Sequence, residues 1–193
     1  NRVKETEIME ASILNGKSTF IIVRPESDDY SSLYNLSEEK ARVVNGTPII
    51  DLHLTLQALR DVEDFTALKE RLKEYALKLC PFEIKVSSIA RMNVNNQQGR
   101  LWLLAEKTPA LENIYNDLGE IACEMGCNSY PYQSENWLPH IKIVDLPENT
   151  STQIKDPTFG IGTGITFTVR YLEWTVQKGS ERWDLLEKFP FPE

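Results

Sequence analysis

No run in the chain approaches the ~20 apolar residues that span a bilayer, so a membrane partner is not expected. The first twelve residues are polar and mixed in charge, and no secretory signal is visible among them. Cysteine is scarce. The three present, Cys80, Cys123 and Cys127, are odd in number and fit no disulfide framework, which points to a reducing compartment, the cytoplasm. Cys123 and Cys127 stand four apart in a helical pattern and could share a face. A zinc site would need two further ligands, and the histidines lie far away in sequence, so neither metal nor cofactor is expected. Positive charge is also short: 21 Lys and Arg stand against 29 Asp and Glu, for a net charge of −8 and a pI near 5.0. Affinity for a long nucleic-acid tract comes from neutralising many phosphates, and this balance argues against it. A single phosphate on a small molecule or a strand end remains within reach of a local pocket. Nothing demands an oligomer, and a monomer is expected.

What the chain has is ordinary globular material. Its 193 residues, 41% hydrophobic and 26% charged, suit a single domain of two intimately packed lobes over residues 1–193, with 1–17 a polar lead-in. Ser18–Val23 is a compact apolar run and reads as a buried strand. Ser27–Glu39 is polar. From Ile50 the sequence alternates through Leu56, the mark of a strand with two different faces. Residues 64–79 repeat apolar side chains at helical spacing and end before Pro81. Phe82–Arg91 and Arg100–Glu106 read as a hairpin around an Asn- and Gln-rich turn. Pro109–Met125 predicts a second helix stopped by Gly126. A polar loop runs to Glu135. Trp137–Val144 predicts a short strand, Ile165–Val176 a long one, and Glu181–Phe189 a last segment. Strand, helix and histidine-bearing strand thus occur twice in order.

The only two histidines share one local setting. His53-Leu54-Thr55-Leu56 and His140-Ile141-Lys142-Ile143 each read as His, apolar, polar, apolar. Side chains alternate across a strand, so His53 shares a face with Thr55 and His140 with Lys142. The apolar residues between them can pack into a core. Cleavage of a phosphodiester needs a group that takes a proton from the nucleophile and one that returns a proton to the leaving oxygen. It also needs donors for the non-bridging oxygens. Two imidazoles can do the first two tasks. The Thr55 hydroxyl and the Lys142 ammonium can hold the phosphate. One such histidine is ordinarily a half-exposed sheet residue; two in matched settings make a site the better reading.

These paired tetrapeptides resemble the His-x-Thr/Ser-x motifs of the two-histidine phosphoesterase superfamily, which includes 2′-5′ RNA ligase-like proteins and cyclic nucleotide phosphodiesterases. The separation of 87 residues resembles the family spacing, as do Trp137-Leu138-Pro139 before the second motif and the strand pair around Arg100-Leu101-Trp102-Leu103. The resemblance covers roughly residues 18 to 176. It implies an α+β fold of two pseudo-symmetric lobes, each an antiparallel sheet with helices on its outer face, and a cleft between them. It also implies metal-free chemistry on a 2′,3′-cyclic phosphate or 2′-5′ linkage of a small nucleotide or RNA end, with His53 and His140 catalytic. The alternatives are a nucleotide-binding module with weak or no turnover, and 2′-5′ RNA ligase activity. Lys142 departs from the pattern, standing where the family has Thr or Ser. A cation there would lower the pKa of His140 by repulsion and favour a neutral base.

Weaker candidates surround the motifs. Asp51 could orient His53 or be a solvated strand-end carboxylate. Tyr130, Tyr132 and Trp137 could stack on a base or anchor a loop. Arg24, Arg91 and Arg100 could line the cleft. Gly160, Gly162 and Gly164 read as a bend before the last long strand rather than a phosphate loop.

Overall fold

The computed structural model describes residues 18–92, 99–130, 137–147, 164–178 and 182–192. The apolar run Thr19–Val23 forms β1, almost wholly buried. Helix α1 follows over Ser27–Val44, then β2 over Thr47–Pro48 and β3 over Leu54–Arg60. Helix α2 is Phe65–Ala76, capped by the Asp64 side chain, which accepts from Ala67 N at 2.8 Å. Strands β4, Phe82–Met92, and β5, Arg100–Ala105, make the expected hairpin. Helix α3, Pro109–Glu124, starts with Pro109 in its first turn, and Thr108 Oγ1 accepts from Leu111 N at 3.3 Å. The remaining strands are β6, Asn128–Tyr130, β7, His140–Asp145, β8, Thr166–Val169, β9, Tyr171–Lys178, and β10, Arg182–Pro190.

Among the described residues the architecture is α+β, a curled antiparallel sheet with three helices. The strand order is β10-β9-β1-β3-β7-β5-β4-β8, with β2 beside β7 and β6 beside β3. The four strands from β10 to β3 make one lobe and the four from β7 to β8 the other. They join where Leu54 of β3 pairs with Ile141 of β7. Helix α3 packs on β3 and helix α1 on β7, so each histidine strand rests on a helix. No helix among the described residues is long and apolar enough to cross a membrane.

Four expectations need correction. The polar stretch at Ser27–Glu39 is the start of the 18-residue helix α1, whose buried stripe is only Leu33, Ser37 and Ala41. Its other core-facing apolar residues, Tyr30, Tyr34, Leu36 and Val44, are only partly buried and stand among serines and acids, so the stretch reads as polar. The 165–176 stretch is two strands broken at Arg170. Phe167 and Val169 are buried on one side of the break, and Leu172, Trp174 and Val176 on the other, so the alternation slips by one residue. Strand β8 pairs with β4, and β9 with β1 and β10. The polar loop after α3 contains β6, which pairs with β3. Gly126, at φ 69°, ends α3 before Cys127, so Cys127 is buried beyond the helix while Cys123 is exposed on it. They do not share a face. The lead-in at 1–17, Tyr132, and Gly160 and Gly162 lie outside the described residues.

Candidate active site

The site is built from the junction of the two lobes. Leu54 and Ile141 are opposite one another and fully buried. Antiparallel register carried one step each way sets His53 across from Lys142 and Thr55 across from His140. All four therefore stand on the face opposite Leu54 and Ile141, with the two imidazoles on a diagonal. Only part of the expected first strand is regular. The segment 49–53 is not a strand, and Ile50 is 68% exposed where alternation placed it inward. His53 sits immediately before β3, and the Tyr30 hydroxyl donates to Ile50 O to hold this bent lead-in.

Both imidazoles are fixed in the same way. His53 Nδ1 lies 2.9 Å from Asp51 O, and His140 Nδ1 lies 2.7 Å from Leu138 O. A carbonyl can only accept, so each Nδ1 carries a proton and each Nε2 is left for chemistry. The sequence shows none of this, because the acceptor is main chain two residues upstream in both halves.

Their electrostatic partners differ. Asp51 Oδ1 is 3.4 Å from His53 Nδ1. Arg24 bridges Asp51 to Glu173 and so fixes the carboxylate from behind. Burial alone would raise the Asp51 pKa, but hydrogen bonds from His53 and Arg24 outweigh it and hold the carboxyl below its usual range. Asp51 is thus a tethered partner of His53, not a solvated strand end. The Trp183 indole meets the His53 ring edge-on, centroids 4.5 Å apart.

His140 has no carboxylate within ion-pair distance among the described residues. It lies flat on Trp102, with ring centroids 3.6 Å apart and planes 9° from parallel. Its pKa is lowered to about 4. Burial is the main cause; the Leu138 carbonyl opposes it, and Lys142 and His53 add repulsion. Repulsion from Lys142 is therefore real but secondary to desolvation.

Beside His53 lies a pocket of about 110 Å³, with Asp51, His53 and Trp183 from one lobe and Arg100, Lys142 and Asp145 from the other; His140 does not line it. Ile49 and Gln177 complete its lining. Lys142 and Asp145 would face opposite ways on a regular strand. The register shift between Leu101 and Trp102 leaves Ile143 as an extra residue and turns both toward the pocket. Arg100 Nε holds Asp145 Oδ1 at 2.7 Å. Each lining carboxylate is thereby claimed by a guanidinium. Among the described residues no carboxylate lies within ion-pair distance of Lys142. Burial, with repulsion from Arg100, lowers the Lys142 pKa, and Asp145 offsets this only in part. An anion would find this ammonium incompletely compensated.

Of the weaker candidates, Arg24 and Arg100 belong to the site, and Arg91 does not line the pocket. Thr55 shares the face by register but does not line the pocket either. Trp137 is 6% exposed and stacked on Tyr115 at 4.1 Å, so it belongs to the core and offers no face to a base. Trp183, Asp145 and Gln177 escaped the sequence reading because they come from distant strands or from a bulge. Trp102 was legible only as part of the resemblance.

No family model and no curated protein matches the chain. Solved structures do. E. coli LigT complexed with 3′-AMP superposes with a TM-score of 0.65 at 17% identity, over 92% of this chain and 99% of that one. TT0787 of Thermus thermophilus gives 0.65 at 16% identity, over 90% and 97%. Kluyveromyces marxianus Usb1 gives 0.56 at 10% identity, over 91% and 98%. LigT has also been solved with NADP+, ATP and phosphate. Two antiparallel lobes meeting at the strands that carry His53 and His140 give this chain a fold it shares with LigT, TT0787 and Usb1.

Proposed function

We propose that the protein is a phosphodiesterase that opens a 2′,3′-cyclic phosphate, or cleaves a 2′-5′ linkage, on a small nucleotide or RNA end by acid–base chemistry of His53 and His140, without a metal. The observation that carries this reading is the diagonal pair of imidazoles on one face, each with Nδ1 tied to a carbonyl and Nε2 left over. Binding of 3′-AMP, NADP+ and ATP by LigT supports a small nucleotide as the ligand.

Their unequal surroundings assign the roles. His140 is neutral near pH 7, because burial holds its pKa near 4, and is the base. His53 has the Asp51 carboxylate beside Nδ1 to balance a positive charge, and is the acid. His140 Nε2 takes a proton from water as its oxygen attacks phosphorus. The bond from phosphorus to one ribose oxygen breaks, and that oxygen takes the proton from His53 Nε2. The product is a phosphomonoester, and solvent exchange restores both histidines. Lys142 compensates the non-bridging oxygens, with the Thr55 hydroxyl as second donor. With a ribose 5′-hydroxyl in place of water as the nucleophile, the same steps run forward: its oxygen bonds to phosphorus as the bond to the 3′ oxygen breaks, leaving a 2′-5′ phosphodiester, which is the ligase reaction.

The test is incubation with EDTA and a panel of nucleoside 2′,3′-cyclic phosphates, alongside His53→Ala, His140→Ala and the double variant. Turnover is expected from the parent alone, each single variant losing about a hundred-fold or more. Loss in His53→Ala with full activity in His140→Ala would sink the paired mechanism. Nucleotide binding without turnover by the parent would favour a binding module instead.

A further inference from the structure

The two imidazoles are backed differently. His53 has a carboxylate at 3.4 Å, whereas His140 has none among the described residues. What His140 has is the face of Trp102, parallel to within 9° and 3.6 Å away between centroids. Strand β5 holds the indole there, since Trp102 pairs with Lys142 and its neighbour Leu104 with His140. The indole nitrogen is buried with no hydrogen-bond partner, so the ring offers the site its π face and no polar contact. The charged groups acting on His140 are Lys142 on its own strand and His53 at the foot of β3, both unfavourable to a second positive charge. Leu104 and Trp102, across on β5, are uncharged.

A base that takes a proton becomes a cation, and this cation must be stabilised somewhere. An indole face is the strongest aromatic partner for a cation, and the interaction strengthens when the pair is dry. We propose that Trp102 is the positioning and charge-compensating partner of His140, its π face stabilising the imidazolium that forms when His140 accepts the proton, as Asp51 does for His53. The catalytic part of this rests on the function proposed above; the resting interaction does not.

Two effects of the indole oppose one another, and the sign of one measurement separates them. As a mere water shield, Trp102 holds His140 neutral, and its removal would let His140 protonate at higher pH. As a cation partner it favours the imidazolium, and its removal would make His140 protonate at lower pH. The experiment is an NMR titration of the two imidazole C2 protons, assigned by His53→Gln and His140→Gln, in the parent and in Trp102→Leu and Trp102→Phe. Leucine keeps apolar cover without a π face. The expected result is a downward shift of the His140 midpoint by about half a unit or more in Trp102→Leu. Trp102→Phe should restore part of it, and His53 should stay put. An unmoved or raised midpoint in Trp102→Leu overturns the proposal. Should Trp102→Leu not fold, the parent grown on fluorinated tryptophan keeps ring shape and drains charge from the face; the midpoint must then fall, and no change refutes the idea. No substrate enters these titrations, so they stand apart from the assay of function. With a cyclic phosphate that turns over, Trp102→Leu should lower kcat about three- to ten-fold with KM nearly unchanged.

Discussion

Asp51 reaches His53 from two positions upstream, and its own place is set by Arg24, which also grips Glu173 on β9. Asn at position 51 keeps the shape and loses the charge. Asp51→Asn should therefore lower kcat about ten-fold with little change in KM, measured on a cyclic phosphate at pH 7. At His140 the prediction concerns pH. Its pKa is near 4 when folded and near 6.5 when unfolded. The unfolded chain thus binds the extra proton between these values, so this group costs stability as pH falls from about 6.5 to 4 and adds no further loss below that. The cost is at most about 3 kcal/mol. Urea melts at pH 7 and pH 4.5 should show a smaller difference in His140→Gln than in the parent. The acid limb of kcat/KM should likewise lie near the His140 pKa, far below the midpoint of a free imidazole.

Elements are where sequence and structure part company. The two histidine tetrapeptides, helices α2 and α3 and the β4–β5 hairpin were legible, because each carries its own periodicity and cap. Helix α1 was not, because it buries a hydroxyl at its centre. Ser37 donates to Ile143 O at 2.5 Å, and Ile49 N donates to the same carbonyl at 2.9 Å. The bulge in β7 is thus served by side chain and loop together, a contact that no local pattern announces. Ser37→Ala should cost about 1 kcal/mol in a denaturant melt, since Ile49 N still serves the acceptor. Gly46 is tighter. A Cβ there would stand 2.6 Å from both Asp145 O and Val144 Cγ1. Gly46→Ala should destabilise by about 1–3 kcal/mol and, by displacing the strand that carries Asp145, should weaken nucleotide binding as well. The site's remaining members, Trp183, Gln177 and Asp145, become neighbours only through the sheet order and the bulge. No spacing along the chain reports that proximity.

At the scale of the molecule, the sheet is sewn from both ends of the described chain. Strand β1 lies between β3 and β9, and β10 extends that lobe on the far side of β9. Strand β8, just before β9, closes the other lobe against β4. The slip at Arg170 is the stitch that passes the chain from one lobe to the other. During synthesis, then, β1 leaves the ribosome before β9 and waits for a partner delivered about 150 residues later. At synthesis rates of about 5–20 residues per second, that is roughly eight to thirty seconds with an unpaired apolar edge. A nascent chain stalled after β7 should need a chaperone to stay in solution, and one that extends through β10 should not. The stitch that holds the finished lobes together is also what makes the unfinished chain vulnerable.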